Sequence, residues 1–152
     1  MKRITALLMM LVTLLALSAC AQGKPVHTDM EKIYGDMESH LPEMMVLDDT
    51  FRMNLLGIDA GDCNQVITAI CGEGLLADEV WLIEAKDSTA LAHIQKLAEN
   101  RLQAKADETE SYVPDQYLIV KQGQIITEGL YLALLVSPEV GSLQSVFEAA
   151  VK

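Results

Sequence analysis

The chain has 152 residues, of which 51% are hydrophobic and 22% charged, and its formal charge is −11. That length suits one modest domain with its own core. Such an acidic balance argues against binding nucleic acid or anionic lipid headgroups, because a surface of this sign repels both.

Residues 1–20, MKRITALLMMLVTLLALSAC, read as a bacterial lipoprotein export signal. Lys2 and Arg3 form a positive start, and an uncharged apolar run of fourteen residues follows. A spanning helix needs about twenty such residues, whereas a signal core needs fewer. Leu17-Ser18-Ala19-Cys20 closes the segment. Small residues there let the chain enter a peptidase in extended form, and the Cys20 thiol can carry a diacylglyceryl group. Two acyl chains anchor stably where one does not. The alternatives are an ordinary secretory signal with a chance cysteine, or an anchor that stays uncleaved. Ala21 follows Cys20, so no Asp there suggests inner-membrane retention.

The expected organisation is therefore a leader at 1–19, lipidated Cys20 with a tether over 20–27, and a single domain over 28–152. Its expected location is the outer side of the cell membrane, held by lipid. Cleavage before Cys20 leaves 133 residues and removes Lys2 and Arg3, taking the formal charge to −13. An acidic surface of this kind serves solubility, or attracts cations or a basic partner.

Spacing predicts a helix over 28–41. Thr28 stands as cap with Glu31 three residues on, the capping-box interval. Met30, Ile33, Tyr34, Met37 and Leu41 share one face. Pro42 ends the helix, and Met44, Met45 and Val46 lead into a second, shorter one. Asp48 or Asp49 caps that helix, Phe51 and Leu55 pair along it, and Gly57 follows its end. The methionines read as core fillers rather than a metal stripe. Asp59, Asp62 and Asn64 lack the spacing of a calcium loop.

Residues 65–71 are β-branched and apolar and precede Gly72-Glu73-Gly74, which favours a hairpin strand, although helical spacing also fits. Residues 80–86 form a second strand, with Trp81, Ile83 and Ala85 on one face and Val80, Leu82 and Glu84 on the other. Asp87 caps a helix to about Lys105, with Leu91, Ile94, Leu97 or Ala98, and Leu102 inward. Lys96, Arg101 and Lys105 gather its basic charge, and His93 lies on its surface or rim.

Residues 106–115 read as an acidic loop. Pro114 can start a short helix over 115–121, though YLIV also reads as a strand. A strand at 125–127, a turn at Glu128-Gly129 and a strand at 130–136 follow. The last is apolar on both faces and belongs at the centre of a sheet. Ser137-Pro138-Glu139 then opens a closing helix that carries Val140, Leu143, Val146 or Phe147, and Val151.

The plan of hairpin strand, cap and helix occurs twice, with caps Asp87 and Ser137 fifty residues apart. Duplication or chance would produce this equally. The expected fold is α+β: an antiparallel sheet of about four strands with helices packed on one face.

Cys63 and Cys71 remain beside Cys20. On one strand they would lie about 26 Å apart, far beyond disulfide reach. A bridge needs a turn between them; otherwise they are two buried thiols.

The lipobox, DEVWLIEAKD, a helix ending near Arg101, SYVPDQ and GLYLALLVS together resemble the bacterial lipoprotein family known as domain of unknown function forty-three fifty-eight. The resemblance covers roughly residues 45–151 and rests on Asp78-Glu79, Arg101, Tyr112-x-Pro114 and Gly129. It implies an exported protein and a strand at 65–71, and it carries no assigned activity. The two cysteines depart from the family pattern.

No Gly-x-Ser-x-Gly, Ser-x-x-Lys, zincin box or phosphate loop occurs, and His27, His40 and His93 are scattered. No catalytic residue, metal ligand or cofactor site is therefore assigned. Arg101 and Tyr112 stand as candidate ligand-site residues if the acidic loop folds back on the helix; such a pair would equally tie the loop down. The expected function is a lipid-anchored domain outside the cytoplasm that binds a protein or small ligand near the membrane. The alternatives are an envelope-acting hydrolase, or an assembly factor using the sheet edge.

Overall fold

The computed structural model describes residues 28–72 and 75–152. The leader, Cys20 and the tether with His27 lie outside the described residues. In chain order the elements are α1 (Met30–Met37), a 3-10 turn (Glu38–His40), β1 (Met44–Val46) and α2 (Asp49–Leu56). A second 3-10 turn (Ala60–Asp62), β2 (Cys63–Cys71), β3 (Glu79–Ala85) and α3 (Ser88–Tyr112) follow. The chain closes with α4 (Pro114–Lys121), β4 (Gln124–Glu128), β5 (Tyr131–Val136) and α5 (Val140–Val151).

The strands form one antiparallel sheet in the order β1-β2-β3-β5-β4. The α+β class and antiparallel sheet are as expected, with five strands rather than about four. The added strand is β1, at residues expected to lead into a helix. Met44 pairs with Cys71 and Val46 with Ala69, so the open edge of β2 recruits it. Three apolar residues are too few to show a period.

Helices cover both faces of the sheet, not one. On one side Trp81, Ile83, Leu132 and Leu134 pack with Leu56 of α2, Ile94 and Ala98 of α3 and Val120 of α4. On the other, Val80, Leu82, Ala133 and Leu135 pack with Met30, Ile33 and Met37 of α1 and Leu143 and Phe147 of α5. The reason is parity. Partners on β3 and β5, such as Trp81 and Leu134, differ by an odd number and share a face. Residues fifty apart, such as Leu82 and Leu132, therefore point to opposite faces. The helices after β3 and β5 accordingly fall on opposite sides. β3 and β5 are thus buried on both faces. Ser137 does not cap the second of these helices, which starts after Glu139 without a side-chain cap. The Ser137 hydroxyl accepts from the Glu139 amide at 3.2 Å.

Local signals account for the helix ends. Asp29, not Thr28, caps α1, accepting from the Glu31 amide at 3.0 Å. The Thr28 hydroxyl instead donates to the Ala150 carbonyl at 3.1 Å, pinning the start of the domain to the end of α5. Asp48 caps α2, and Gly57 ends it at φ +74°, a left-handed conformation suited to glycine. Phe51 and Leu55, one turn apart, are exposed, and Arg52 and Leu56 face inward.

The expected acidic loop is helix. α3 runs 25 residues, to Tyr112. No Gly or Pro interrupts it, and Gln103 donates to Asp107 one turn on at 2.7 Å. It stops at Val113, whose φ of −143° and ψ of 74° lie outside the α region, which the following proline disfavours for the residue before it. Pro114 then opens α4, so residues 115–121 are helical and the strand reading of YLIV is not realised. Cys63 and Cys71 occupy the two ends of β2 and form no disulfide. The sheet, both cores and every contact described below belong to the described residues between 28 and 152.

Candidate functional site

β3 has seven residues and α3 has 25. At 3.3 and 1.5 Å per residue they extend about 23 and about 37 Å. α3 starts just after β3 ends and runs back along it, so its last turns overhang the sheet. There they meet the loop between β2 and β3. Leu75, Leu76, Lys105, Glu108, Tyr112 and Val113 line the groove between them, which has a volume of about 580 Å³. Ligand sites generally occupy about 300–1,000 Å³. The loop is tied down by the Ala77 amide, which donates to Gln116 Oε1 of α4 at 2.8 Å.

A buried ionic network forms the floor beside this groove. Glu79 alternates with Trp81, Ile83 and Ala85, and so points from β3 toward α3. Its side chain is fully buried. Arg101 donates to it from two nitrogens, Nε to Oε1 at 3.0 Å and to Oε2 at 3.1 Å, and Nη2 to Oε2 at 2.9 Å. Lys105 Nζ lies 3.1 Å from Oε2, and Trp81 Nε1 donates to Oε1 at 2.8 Å. Arg101 and Lys105 are one helical turn apart, so both reach one carboxylate. Burial by itself would raise the Glu79 pKa. The Arg101 hydrogen bond and the charges of Lys105 and Arg101 outweigh it and hold the carboxyl below its usual range. Asp78, next in chain, is also buried, and its carbonyl accepts from the Cys71 amide at 3.0 Å.

The expected pairing of Arg101 with Tyr112 is not made. Arg101 is spent on Glu79. Tyr112 lies on the last turn of α3, 83% exposed, and lines the groove. With residues 106–112 helical, no loop is left to fold back. Of the two candidates, Tyr112 alone reaches the groove, and Arg101 contributes through the neighbouring network.

Sequence reasoning missed Glu79, Lys105 and the two leucines. A signal for the first was present: a carboxylate on the apolar face of a strand must find a cation, and Arg101 and Lys105 stand one turn apart. No comparable signal marked Leu75 and Leu76, whose place depends on how the loop meets α3.

Other candidates resolve into structural roles. Asp59 Oδ1 accepts from the Gly61 amide at 2.7 Å, a turn cap rather than a calcium ligand. His93 is exposed, 3.4 Å from Asp62, and His40 lies 2.7 Å from Glu139. Burial pushes the Cys63 thiol up to about 11, only partly opposed by Arg52, so it is a poor nucleophile. Among the described residues no cluster of three His, Cys, Asp or Glu side chains could hold a metal, and no helix is long and apolar enough to cross a membrane.

No curated protein and no solved structure matches the chain. A family model described as "Domain of unknown function (DUF4358)" matches residues 37–137. That span holds the whole sheet, the Glu79 network and the groove, and on this match the chain belongs to the DUF4358 family.

Proposed function

We propose that this is an exported binding domain, held at the outer face of the cell membrane by a diacylglyceryl group on Cys20, that takes a small ligand in the groove at the end of α3. The groove carries the reading. It joins apolar walls at Leu75, Leu76 and Tyr112 to a charged residue, Lys105, held in place by Glu79. Such a combination of apolar lining and few positioned polar groups is what small-ligand sites share.

The position of Thr28 supports an outward-facing groove. Its amide lies 3.4 Å from the Tyr131 hydroxyl, and Gln65 donates to its carbonyl at 2.8 Å. Gln65 and Tyr131 both pair with Glu84, at the end of β3 where α3 begins. The groove lies at the other end of α3, from about 26 to about 37 Å along the helix from Ser88. Eight residues from Cys20 to Thr28 reach at most about 28 Å. A tether of that length keeps the Thr28 end near the bilayer and leaves the groove open to the medium beyond it.

Two measurements test the reading. Cys20→Ala should leave the protein unlipidated, released or stalled before processing; unchanged membrane retention and unchanged mass would overturn the anchor. A fragment library screened by amide chemical shifts on the chain from residue 21 should perturb signals around Leu76 and Tyr112. Perturbations scattered over the surface would overturn the groove.

A further inference from the structure

We propose that the ligand is an amphipathic carboxylate, its acid group paired with Lys105 and its aliphatic body laid against Leu75, Leu76 and the Tyr112 ring. This rests on the groove reading above and adds the chemical class of its occupant.

The argument begins with charge. Arg101 and Lys105 both address one carboxylate, Glu79, at 2.9 and 3.1 Å. Glu79, Arg101 and Lys105 together sum to one positive charge, and Glu108 is the acidic residue on the groove wall beside Lys105. The two cations are largely buried, with side chains 22% and 12% exposed. A buried charge in excess is costly unless a counter-ion joins it. Arg101 uses Nε and Nη2 on Glu79 and is absent from the groove wall, whereas Lys105 belongs to both network and wall. An ammonium has three donors, so Lys105 can hold Glu79 and still present a proton to the groove. Lys105 thus brings a positive charge to the groove wall, at the end of the groove nearer Glu79, in a domain whose overall charge is strongly negative.

The shape supplies the second half. Leu75 is 72% exposed and Leu76 42% exposed. Together with Tyr112 they present apolar surface next to the cation. An inorganic anion would leave that surface wet, and an uncharged hydrocarbon would leave Lys105 unanswered. A carboxylate on an aliphatic chain satisfies both. Glu108, one turn before Tyr112, also lines the groove and repels an anion. It biases the acid group toward Lys105 and away from the far end of α3.

The test is calorimetric titration of the chain from residue 21 with decanoate and decylamine, each below its micelle concentration, and with decanol below its solubility limit. Decanoate should bind about tenfold more tightly than decanol, the gain of one charge-assisted hydrogen bond. Lys105→Gln should remove that difference, and Lys105→Arg should largely keep it. Glu108→Gln should tighten decanoate and leave decanol unchanged. Tyr112→Ala should weaken both, since it removes apolar wall from an exposed position without touching the core. Equal affinity for decanoate and decanol would overturn the anionic ligand and leave the groove reading standing. Preference for decylamine would assign the charge selection to Glu108 and overturn the proposal. Failure of all three to bind would also overturn it, and the fragment screen would then decide independently whether the groove binds anything.

Discussion

Arg101 grips Glu79 with two nitrogens, at 3.0 and 2.9 Å, from a helix that begins after the strand it reaches back to. The contact joins α3 to β3 at the sheet end opposite the α3 cap and holds the helix against Trp81. Glu79→Gln would leave two largely buried cations without their carboxylate. The expected cost is about 3 kcal/mol, read as a lower midpoint in urea unfolding. A change under about 1 kcal/mol, within the range of an exposed pair, would show that the network is not buried in solution.

The same carboxylate sets a pH dependence. Its folded-state pKa lies below the usual value, so the stability it contributes is complete above the unfolded carboxylate value, about 4.3. That contribution is lost as pH falls through the folded-state value. Unfolding free energies measured downward from about pH 6 should fall more steeply for the parent than for Glu79→Gln. Parallel curves would contradict the assignment.

Trp81 offers a gentler probe of the network. Its Nε1 donates to Glu79 at 2.8 Å, and both side chains are fully buried. Trp81→Phe keeps most of the ring but removes the donor. A loss of about 1–3 kcal/mol is expected from the missing hydrogen bond and the smaller side chain. In the Glu79→Gln background the loss should shrink, and a double-mutant cycle measures by how much. Strict additivity would deny the coupling.

Two glycines should respond oppositely to alanine. A methyl group at Gly123 would sit 2.8 Å from Leu102 and 2.9 Å from the Val120 carbonyl. Backbone cannot yield cheaply there, so Gly123→Ala should cost about 1–3 kcal/mol. Gly141 lies in α5 with nothing within 4 Å of an added methyl. Gly141→Ala should raise stability by about 0.5 kcal/mol through helix propensity. Thermal melts of the two variants give the signs directly.

The cysteines make a chemical prediction. With its thiol pushed up to about 11, Cys63 should alkylate roughly a hundredfold more slowly at about pH 8 than an unperturbed cysteine. Peptide mass spectrometry after timed iodoacetamide treatment resolves it. Mild oxidation should give no intramolecular Cys63–Cys71 bridge, because the residues cap opposite ends of β2. A bridged peptide would require β2 to be broken in the middle.

Local chemistry determined much of this fold. Asp48 and Asp87 cap helices where their spacing put them, Gly57 and Gly129 take the positive φ that their turns need, and Pro114 opens α4. Alternation placed Trp81 and Leu82 on opposite faces of β3, and two-sided apolarity put β5 inside the sheet. Each of these signals acts within a few residues, which is why one chain of letters reveals it. Tertiary structure decided the rest. β1 exists because β2 had an edge to offer Met44–Val46. The helix sides follow from the β3–β5 register, which no local pattern states. Arg101 belongs to Glu79 and not to Tyr112 because α3 runs on past Lys105 and carries Tyr112 beyond the sheet. The groove arises from that overhang, the difference between a 1.5 Å and a 3.3 Å rise per residue, and becomes visible only when helix and strand lie side by side.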